Sequence, residues 1–196
     1  GTCALATQIV LRELNQEVKL VDKTAIEDFK EINPVGTVPT LISRNTVLTE
    51  GAAIILYLLK KHPNNLLPSD ENDRQTAIQN IMFANATMHP AYSKLFFAAQ
   101  NITDENAKLE AFTKAAEHIN DLWQVVEKRL GTSRFLGGDT LSAADIMLTV
   151  YSRWGDFFPV NIIFGDKTES MLSTVKAMAN FEKSIQEENA VAAALA

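Results

Sequence analysis

The sequence predicts an α/β (α+β) protein in which a mixed α/β domain is followed by an all-helical domain. Two short β-prone runs within residues 40–48 come directly before an apolar helical run, residues 52–59. Residues 62–73 hold two prolines among many polar side chains, which is the composition of a linker. Beyond this linker the strand pattern does not recur. We therefore place the first domain at residues 1–67 and the second at residues 73–196.

Composition narrows the class of protein. The chain has 196 residues, is 46% hydrophobic and carries a formal charge of −6 without a basic cluster, so we expect no nucleic-acid partner. Its longest apolar run, Ala52 to Leu59, is far shorter than the roughly 20 residues that span a bilayer, and no signal peptide is recognisable. One cysteine cannot form an intramolecular disulfide, which favours a reducing cytoplasm. The three scattered histidines give no metal-binding spacing, so no metal is expected.

The first thirty residues predict a helix, a strand and a short turn of helix. Apolar side chains at helical spacing predict a first helix over residues 4–14. Residues 18–21 are predicted to form a strand, and residues 26–29 a single helical turn within a polar connection.

The stretch from Asn33 to Leu59 carries the signals of a binding site. Val38-Pro39 opens a strand, and a cis bond there would leave the Val38 main chain free for an extended ligand. A hairpin turn is predicted at Arg44-Asn45. Glu50 then precedes a helix whose first N–H groups and dipole suit a carboxylate, while Glu50 itself suits an ammonium. Together they fit the head group of an α-amino acid.

The second domain reads as a series of amphipathic helices. A helix over residues 74–99 should bend at Pro90, and a long helix should start near Asp104 and end at Gly131. Ser142 is a candidate N-cap with Asp145 in a capping box. Two terminal helices are predicted, at residues 171–187 and 190–196.

Three motifs of this sequence, which fall in the order expected along the chain, resemble motifs of the glutathione S-transferases. Val38-Pro39-Thr40-Leu41 followed by Thr49-Glu50-Gly51 is similar to the glutathione-binding motifs of the family's thioredoxin-like half. The start of the chain, Gly1 to Glu13, resembles the bacterial beta class, whose active-site cysteine begins the first helix. Gly138 to Ile146 is similar to the capping box of the family's buried helix. The resemblance implies a thioredoxin-like domain and an all-helical domain.

The resemblance also implies a set of site residues. Glutathione would lie along Val38, flanked by Thr37 and Pro39, with its γ-glutamyl head at Glu50 and Gly51. Its sulfur would face the two implied catalytic residues, and these are Cys3 and His89. Lys19 and Lys23 lie where many beta-class proteins have a glutathione-binding lysine, but the loop here is shorter and neither is assigned.

The same residues have simpler explanations that stay open. Cys3 could be a small buried apolar residue, with the Thr2 hydroxyl taking its place as a donor to a thiolate. Glu50 could merely complement the helix dipole. His89 could be a helix-face histidine satisfied by a neighbour, since Pro90 stands where the family has lysine and leaves the electrostatics open. Gly51, where many relatives have serine, keeps only a backbone N–H.

The family's central strand is expected before Cys3, which is the third residue of this sequence. Either the natural chain continues upstream or the sheet is rebuilt. An omission of about 6 to 9 residues is favoured, because a buried central strand supplies ladder partners to its neighbours.

The function implied is transfer of glutathione to small hydrophobic electrophiles in detoxification by a bacterial cytoplasmic homodimer. Thiol-disulfide chemistry through Cys3 is a second activity that a cysteine at this position allows. The alternative is a non-catalytic interaction protein on the same scaffold, similar to the stringent-starvation group.

Overall fold

The computed structural model describes residues 2–44 and 46–194. The chain forms two compact units. The first unit takes residues up to Asn64 together with those from Lys176 onward, and the second runs from Asn65 to Val175.

The first unit joins a small antiparallel sheet to helices. The described sheet has two strands, paired from Thr40 opposite Thr49 to Ser43 opposite Thr46, as the predicted hairpin requires. Asn45, in the predicted turn, lies outside the described residues. The elements are α1 (Ala4–Glu13), α2 (Phe29–Ile32), β1 (Thr40–Ser43), β2 (Thr46–Thr49), α3 (Gly51–Lys61) and α9 (Ala179–Ala193).

The core of this unit is built by α1 and α3. Their apolar faces, spaced by three and four residues, are almost completely buried. Helix α9 packs along α1 and is held there by polar contacts, an Arg12–Glu187 ion pair and a 2.9 Å hydrogen bond from Gln8 to Glu188. The buried apolar residues of the two core helices include Leu5, Ile9, Val10, Ile54, Ile55 and Leu58.

The predicted strand at residues 18–21 is wrong, because these residues form no ladder in the structure. A strand needs a neighbour for its N–H and C=O groups, and β1 pairs with β2 alone among the described residues. Residues 16–21 and β1 instead line a cavity of about 550 Å³. The cavity wall on α1 includes two buried polar atoms, Thr7 Oγ1 and Gln8 Oε1, that lack a hydrogen-bond partner.

The second unit is helical throughout its regular elements. Before Pro90, where a bend is predicted, the helix contains a π-helical segment, Ala84–Met88. At its end the His89 N–H donates to the Ala84 carbonyl. Proline lacks the N–H that a regular helix needs, and a wider turn accommodates it. The elements are α4 (Glu71–Phe83), α5 (His89–Asn101), α6 (Glu105–Leu130), α7 (Ala143–Ser152), a 3₁₀ helix (Arg153–Phe157) and α8 (Asp166–Lys176).

The helix ends predicted in this unit are confirmed. Asp104 caps α6 through a 2.8 Å bond from the Ala107 N–H, and Gly131 follows α6 with a φ of +57°. Ser142 and Asp145 form the reciprocal capping box of α7.

Two local predictions are wrong. The terminal helices run over α8 and α9 rather than residues 171–187 and 190–196, because the chain turns at Ala177 and Met178, where Met178 is extended. Asn189 does not interrupt α9, and Leu195 and Ala196 lie outside the described residues. The helical turn predicted at residues 26–29 is displaced to a 3₁₀ turn at Lys23–Ala25 and to α2.

The compact units divide the chain differently from the predicted domains. Residues from Lys176 onward pack with the first unit, since α9 buries Phe181 and lies along α1. Among the helices described, none is long and apolar enough to cross a membrane.

Candidate functional site

The loop before β1 is fixed from the inside by Asn33. This side chain is 2% exposed and donates to the Thr37 carbonyl at 2.8 Å and to the Thr40 hydroxyl at 3.2 Å. Its oxygen accepts the Val35 N–H at 3.2 Å. The hydrogen bonds of this single buried amide join the start of the loop at Val35 to its end at Thr37 and Thr40. They thereby fix the position of the loop residues.

The Val38 main chain is presented by this loop. The Val38-Pro39 bond is cis, as predicted. Thr37 is exposed, while Val38 and Pro39 are half-buried. The Val38 carbonyl accepts a hydrogen bond from the Cys3 thiol, with the sulfur and oxygen 3.3 Å apart. The Val38 N–H has no protein partner within the part of the chain that the structure describes.

Cys3 stands at the N-cap of α1 but its side chain does not cap the helix. The Ala4 N–H instead donates to the Thr2 hydroxyl at 3.2 Å. Burial is the main cause that raises the pKa of the Cys3 thiol, and the carboxylates of Glu188 and Glu50 raise it further. The backbone N–H groups of Cys3 and Ala4 lower the pKa of the thiol, but their effect is smaller than that of burial and the two carboxylates. Burial and the two carboxylates therefore outweigh the start of α1, which by itself would favour the thiolate.

Glu50 combines an exposed carboxylate with an unusual backbone. Its φ is +67°, in a region that residues with a side chain rarely adopt. Its side chain makes no capping bond to α3, and no cation is paired with it among the described residues. Gly51 and Ala52 begin α3 directly after it, so the carboxylate lies next to the free N–H groups of a helix start. Strained residues of this kind concentrate at functional sites.

The two lysines discussed for the first unit have different surroundings. Lys23 donates from Nζ to the Gly36 carbonyl at 3.0 Å and so ties the 3₁₀ turn to the loop before Val38. Lys19 lines the cavity beside β1.

His89 belongs to the second unit and packs among aromatic rings there. Its ring lies edge-on to Tyr151 and Trp154, with centroids 5.4 and 5.2 Å away. Burial lowers the pKa of the imidazole, which keeps it neutral at neutral pH. Trp154 is part of the core of this unit, being 5% exposed, whereas Phe157 on the same 3₁₀ helix is 61% exposed.

Comparisons with known proteins cover nearly the whole chain. Residues 6–66 match the glutathione S-transferase N-terminal domain, and residues 84–171 match the glutathione S-transferase C-terminal domain. Glutathione S-transferase GST-4.5 of Xanthomonas campestris pv. campestris is 30% identical over 194 residues, covering 96% of this chain and 95% of its own. The chain belongs to the glutathione S-transferase family.

Solved transferases have the same fold. The bacterial transferase BphK, in a ternary complex, aligns over 96% of each chain with a TM-score of 0.83 and 26% identity. A sphingomonad glutathione S-transferase complexed with glutathione aligns over 96% of this chain and 95% of its own, with a TM-score of 0.82 and 27% identity. A beta-class transferase of Sphingomonas chungbukensis aligns over 95% of this chain and 94% of its own, with a TM-score of 0.81 and 26% identity. The predicted family and fold class are confirmed.

Three of the predicted site residues lie in the first unit, and these are Cys3, Val38 and Glu50. Cys3 and Val38 are in direct contact, and Glu50 is close enough for its charge to act on Cys3. Asn33 was missed as a site residue, although it opens the stretch singled out in the sequence. Nothing in the sequence around Asn33 predicts that its side chain is buried. Its role in holding the loop before Val38 is visible only in the folded structure. Among the residues described, no cluster of acidic, histidine or cysteine side chains could hold a metal ion.

Proposed function

We propose that this chain binds glutathione and transfers its thiolate to small hydrophobic electrophiles. The observation that carries the proposal is the Val38 N–H, which has no partner among the described residues, in the same unit as the exposed Glu50 carboxylate at the start of α3. The tripeptide backbone would pair with Val38 as an added strand, and the γ-glutamyl ammonium and carboxylate would meet Glu50 and the N–H groups beginning with Gly51. The glutathione-bound sphingomonad relative supports this assignment of ligand.

The transfer needs little from the protein beyond a stabilised thiolate. The glutathione sulfur attacks an electrophilic carbon, a C–S bond forms, and the leaving group departs with the bonding electron pair while the thiol proton goes to solvent. Donors beside the sulfur favour the thiolate over the thiol. Cys3 and His89 are the residues predicted for this role, and for His89 the neutral imidazole would have to donate from a ring nitrogen.

Thiol-disulfide exchange is the second reaction that Cys3 would allow. Its thiolate attacks the glutathione sulfur of a glutathionylated substrate, and the substrate leaves as a thiolate. A glutathione thiolate then attacks the resulting protein–glutathione disulfide, which releases oxidised glutathione and regenerates Cys3. The substrate is released as a thiol and one free glutathione is consumed in each cycle, because the other half of the oxidised glutathione was carried by the substrate.

The proposal is tested with a glutathione resin and a general aromatic electrophile, 1-chloro-2,4-dinitrobenzene. We expect retention on the resin, elution by free glutathione, and conjugation above the uncatalysed rate. Retention without conjugation of any electrophile in a panel would favour the interaction-protein alternative. Absence of retention and of binding by calorimetry would overturn the proposal.

The substitution Cys3→Ser separates the two reactions. Serine keeps a hydrogen-bond donor, so conjugation should fall only modestly, whereas reduction of a glutathionylated peptide should be abolished because no sulfur is left to form the mixed disulfide. Both rates are measured on the same preparation, with oxidised glutathione and conjugate quantified separately. Disulfide exchange at the wild-type rate in Cys3→Ser would show that Cys3 is not the nucleophile.

A further inference from the structure

We propose that the Val38 carbonyl keeps the Cys3 thiol protonated until the backbone of bound glutathione takes over that carbonyl. This inference rests on the proposed glutathione site and adds a regulatory step to it. Ligand binding and activation of the cysteine would then be one event.

The thiol of Cys3 is in direct contact with the Val38 carbonyl. The Cys3 sulfur lies 3.3 Å from the Val38 oxygen, within hydrogen-bond distance for a thiol donor. Only the protonated thiol can donate, and a thiolate would face the negative end of the carbonyl dipole. The contact therefore favours the S–H form, whereas the backbone N–H groups of Cys3 and Ala4 favour the thiolate.

The charges around Cys3 act in the same direction. Glu50, before α3, and Glu188, on α9, both disfavour a second negative charge at the sulfur, and burial disfavours it more strongly. Among the residues that the structure describes, these two carboxylates are the charged groups that act on Cys3. The pKa of the thiol is raised accordingly, although α1 begins at the next residue.

Glutathione would change two of these influences at once. An extended backbone paired with Val38 directs its central N–H at the same carbonyl oxygen that now accepts the thiol. The carbonyl oxygen has two lone pairs, but the amide is a stronger donor than a thiol, so its hydrogen bond would compete with that of the thiol and weaken it. The γ-glutamyl ammonium would also neutralise Glu50. Both changes favour the thiolate, so the cysteine is protected without substrate and reactive with it.

The experiment follows thiolate absorbance at 240 nm against pH in wild type minus Cys3→Ser, which is unambiguous because the chain has one cysteine. The ligand is γ-Glu-Ala-Gly, which has the glutathione backbone but no sulfur, and its saturation is established by calorimetry. We expect the thiolate fraction at neutral pH to rise by more than the about three- to tenfold that loss of one hydrogen bond gives, because neutralisation of Glu50 adds to it.

A matched ligand isolates the hydrogen bond. γ-Glu-(N-methyl-Ala)-Gly has the same charges but lacks the central N–H, so at saturation it should produce a clearly smaller rise. Equal rises with both ligands would mean that charge alone activates Cys3 and would overturn the role of the Val38 carbonyl.

The remaining outcomes separate this inference from the proposed function. Saturable binding of γ-Glu-Ala-Gly with an unchanged or decreased thiolate fraction would overturn the inference and leave the glutathione site standing. No binding of either γ-Glu-Ala-Gly or glutathione would overturn the site, and the inference with it.

Discussion

At the scale of single residues, two acidic residues have a positive φ, Asp28 in the left-handed helical region and Glu50 outside it, with a ψ of 112°. Glu50 has a φ of +67° and Asp28 a φ of +50°. Such conformations cost about 1 to 2 kcal/mol in residues with a side chain. Asp28 precedes α2, whereas Glu50 belongs to the proposed ligand site. The pair therefore allows strain and function to be separated by the same substitution.

Glu50→Gly and Asp28→Gly should both leave the protein as stable or raise the free energy of unfolding by up to about 1 kcal/mol, because relief of strain is partly offset by the flexibility of glycine. Only Glu50→Gly should weaken glutathione binding, by about 1 to 3 kcal/mol, since the ammonium loses its charged partner. Denaturant unfolding and calorimetry measure the two quantities. Unchanged glutathione affinity in Glu50→Gly would contradict the proposed role of Glu50.

The residue scale also separates what the sequence could predict from what it could not. Glu50 was predicted because a carboxylate directly before an apolar helix is a local pattern. The protonated state of Cys3 was not, because Glu188 and the Val38 carbonyl reach it through folding. A helix N-terminus taken alone favours the thiolate and so acts in the opposite direction on its pKa.

At the scale of elements, the start of α8 is capped from another helix. Glu127, on α6, accepts the Lys167 N–H at 3.2 Å, the Thr168 N–H at 2.8 Å and the Thr168 hydroxyl at 2.7 Å. A side chain at Gly165 would collide with the Glu127 carboxylate, since a Cβ there would lie 2.4 Å from its Cδ. The glycine therefore leaves room for a cap that the local sequence does not supply.

Glu127→Ala should lower the free energy of unfolding by about 1 kcal/mol, as loss of an N-cap does. Burial raises the pKa of Glu127, but the Thr168 hydrogen bonds outweigh it, so the pKa in the folded protein is lowered. A lowered pKa stabilises the fold fully above the unfolded value of about 4.3, and the stabilisation is lost as the pH falls through the folded value.

The difference between wild type and Glu127→Ala should therefore shrink in acid, which denaturant unfolding at neutral and acidic pH measures. Glu117→Ala is the matched control on the same helix, because its carboxylate forms an exposed ion pair with Lys114. A difference that stays constant with pH would show that the Glu127 charge does not hold α8.

At the scale of the whole molecule, we predict a two-fold dimer. The resemblance to the transferases implies it, isologous dimers are the commonest oligomers, and Met82 of α4 is 42% exposed. Light scattering should report twice the 21.6 kDa chain mass. Met82→Asp should shift the mass towards the monomer, whereas Leu109→Asp, on α6, should leave it unchanged. A wild type that scatters as a monomer at micromolar concentration would contradict the prediction.

The sequence by itself determined the parts of this protein that rest on local patterns. Periodic apolar residues fixed α1, α3 and α6, and a proline, a glycine and a capping serine marked where segments bend or end. The order of its motifs was enough to predict the transferase family. These signals are readable because helix periodicity, turns and caps depend on residues a few positions apart.

The tertiary structure decided what depends on partners distant in sequence. Residues 18–21 have a strand-like composition but no ladder, because composition cannot supply a neighbouring strand. Residues from Lys176 onward joined the first unit because α9 finds its packing partner in α1. The thiol of Cys3 meets the Val38 carbonyl only after the loop held by Asn33 has folded against α1. Each of these outcomes is set by a hydrogen-bond or packing partner that is absent from the local sequence.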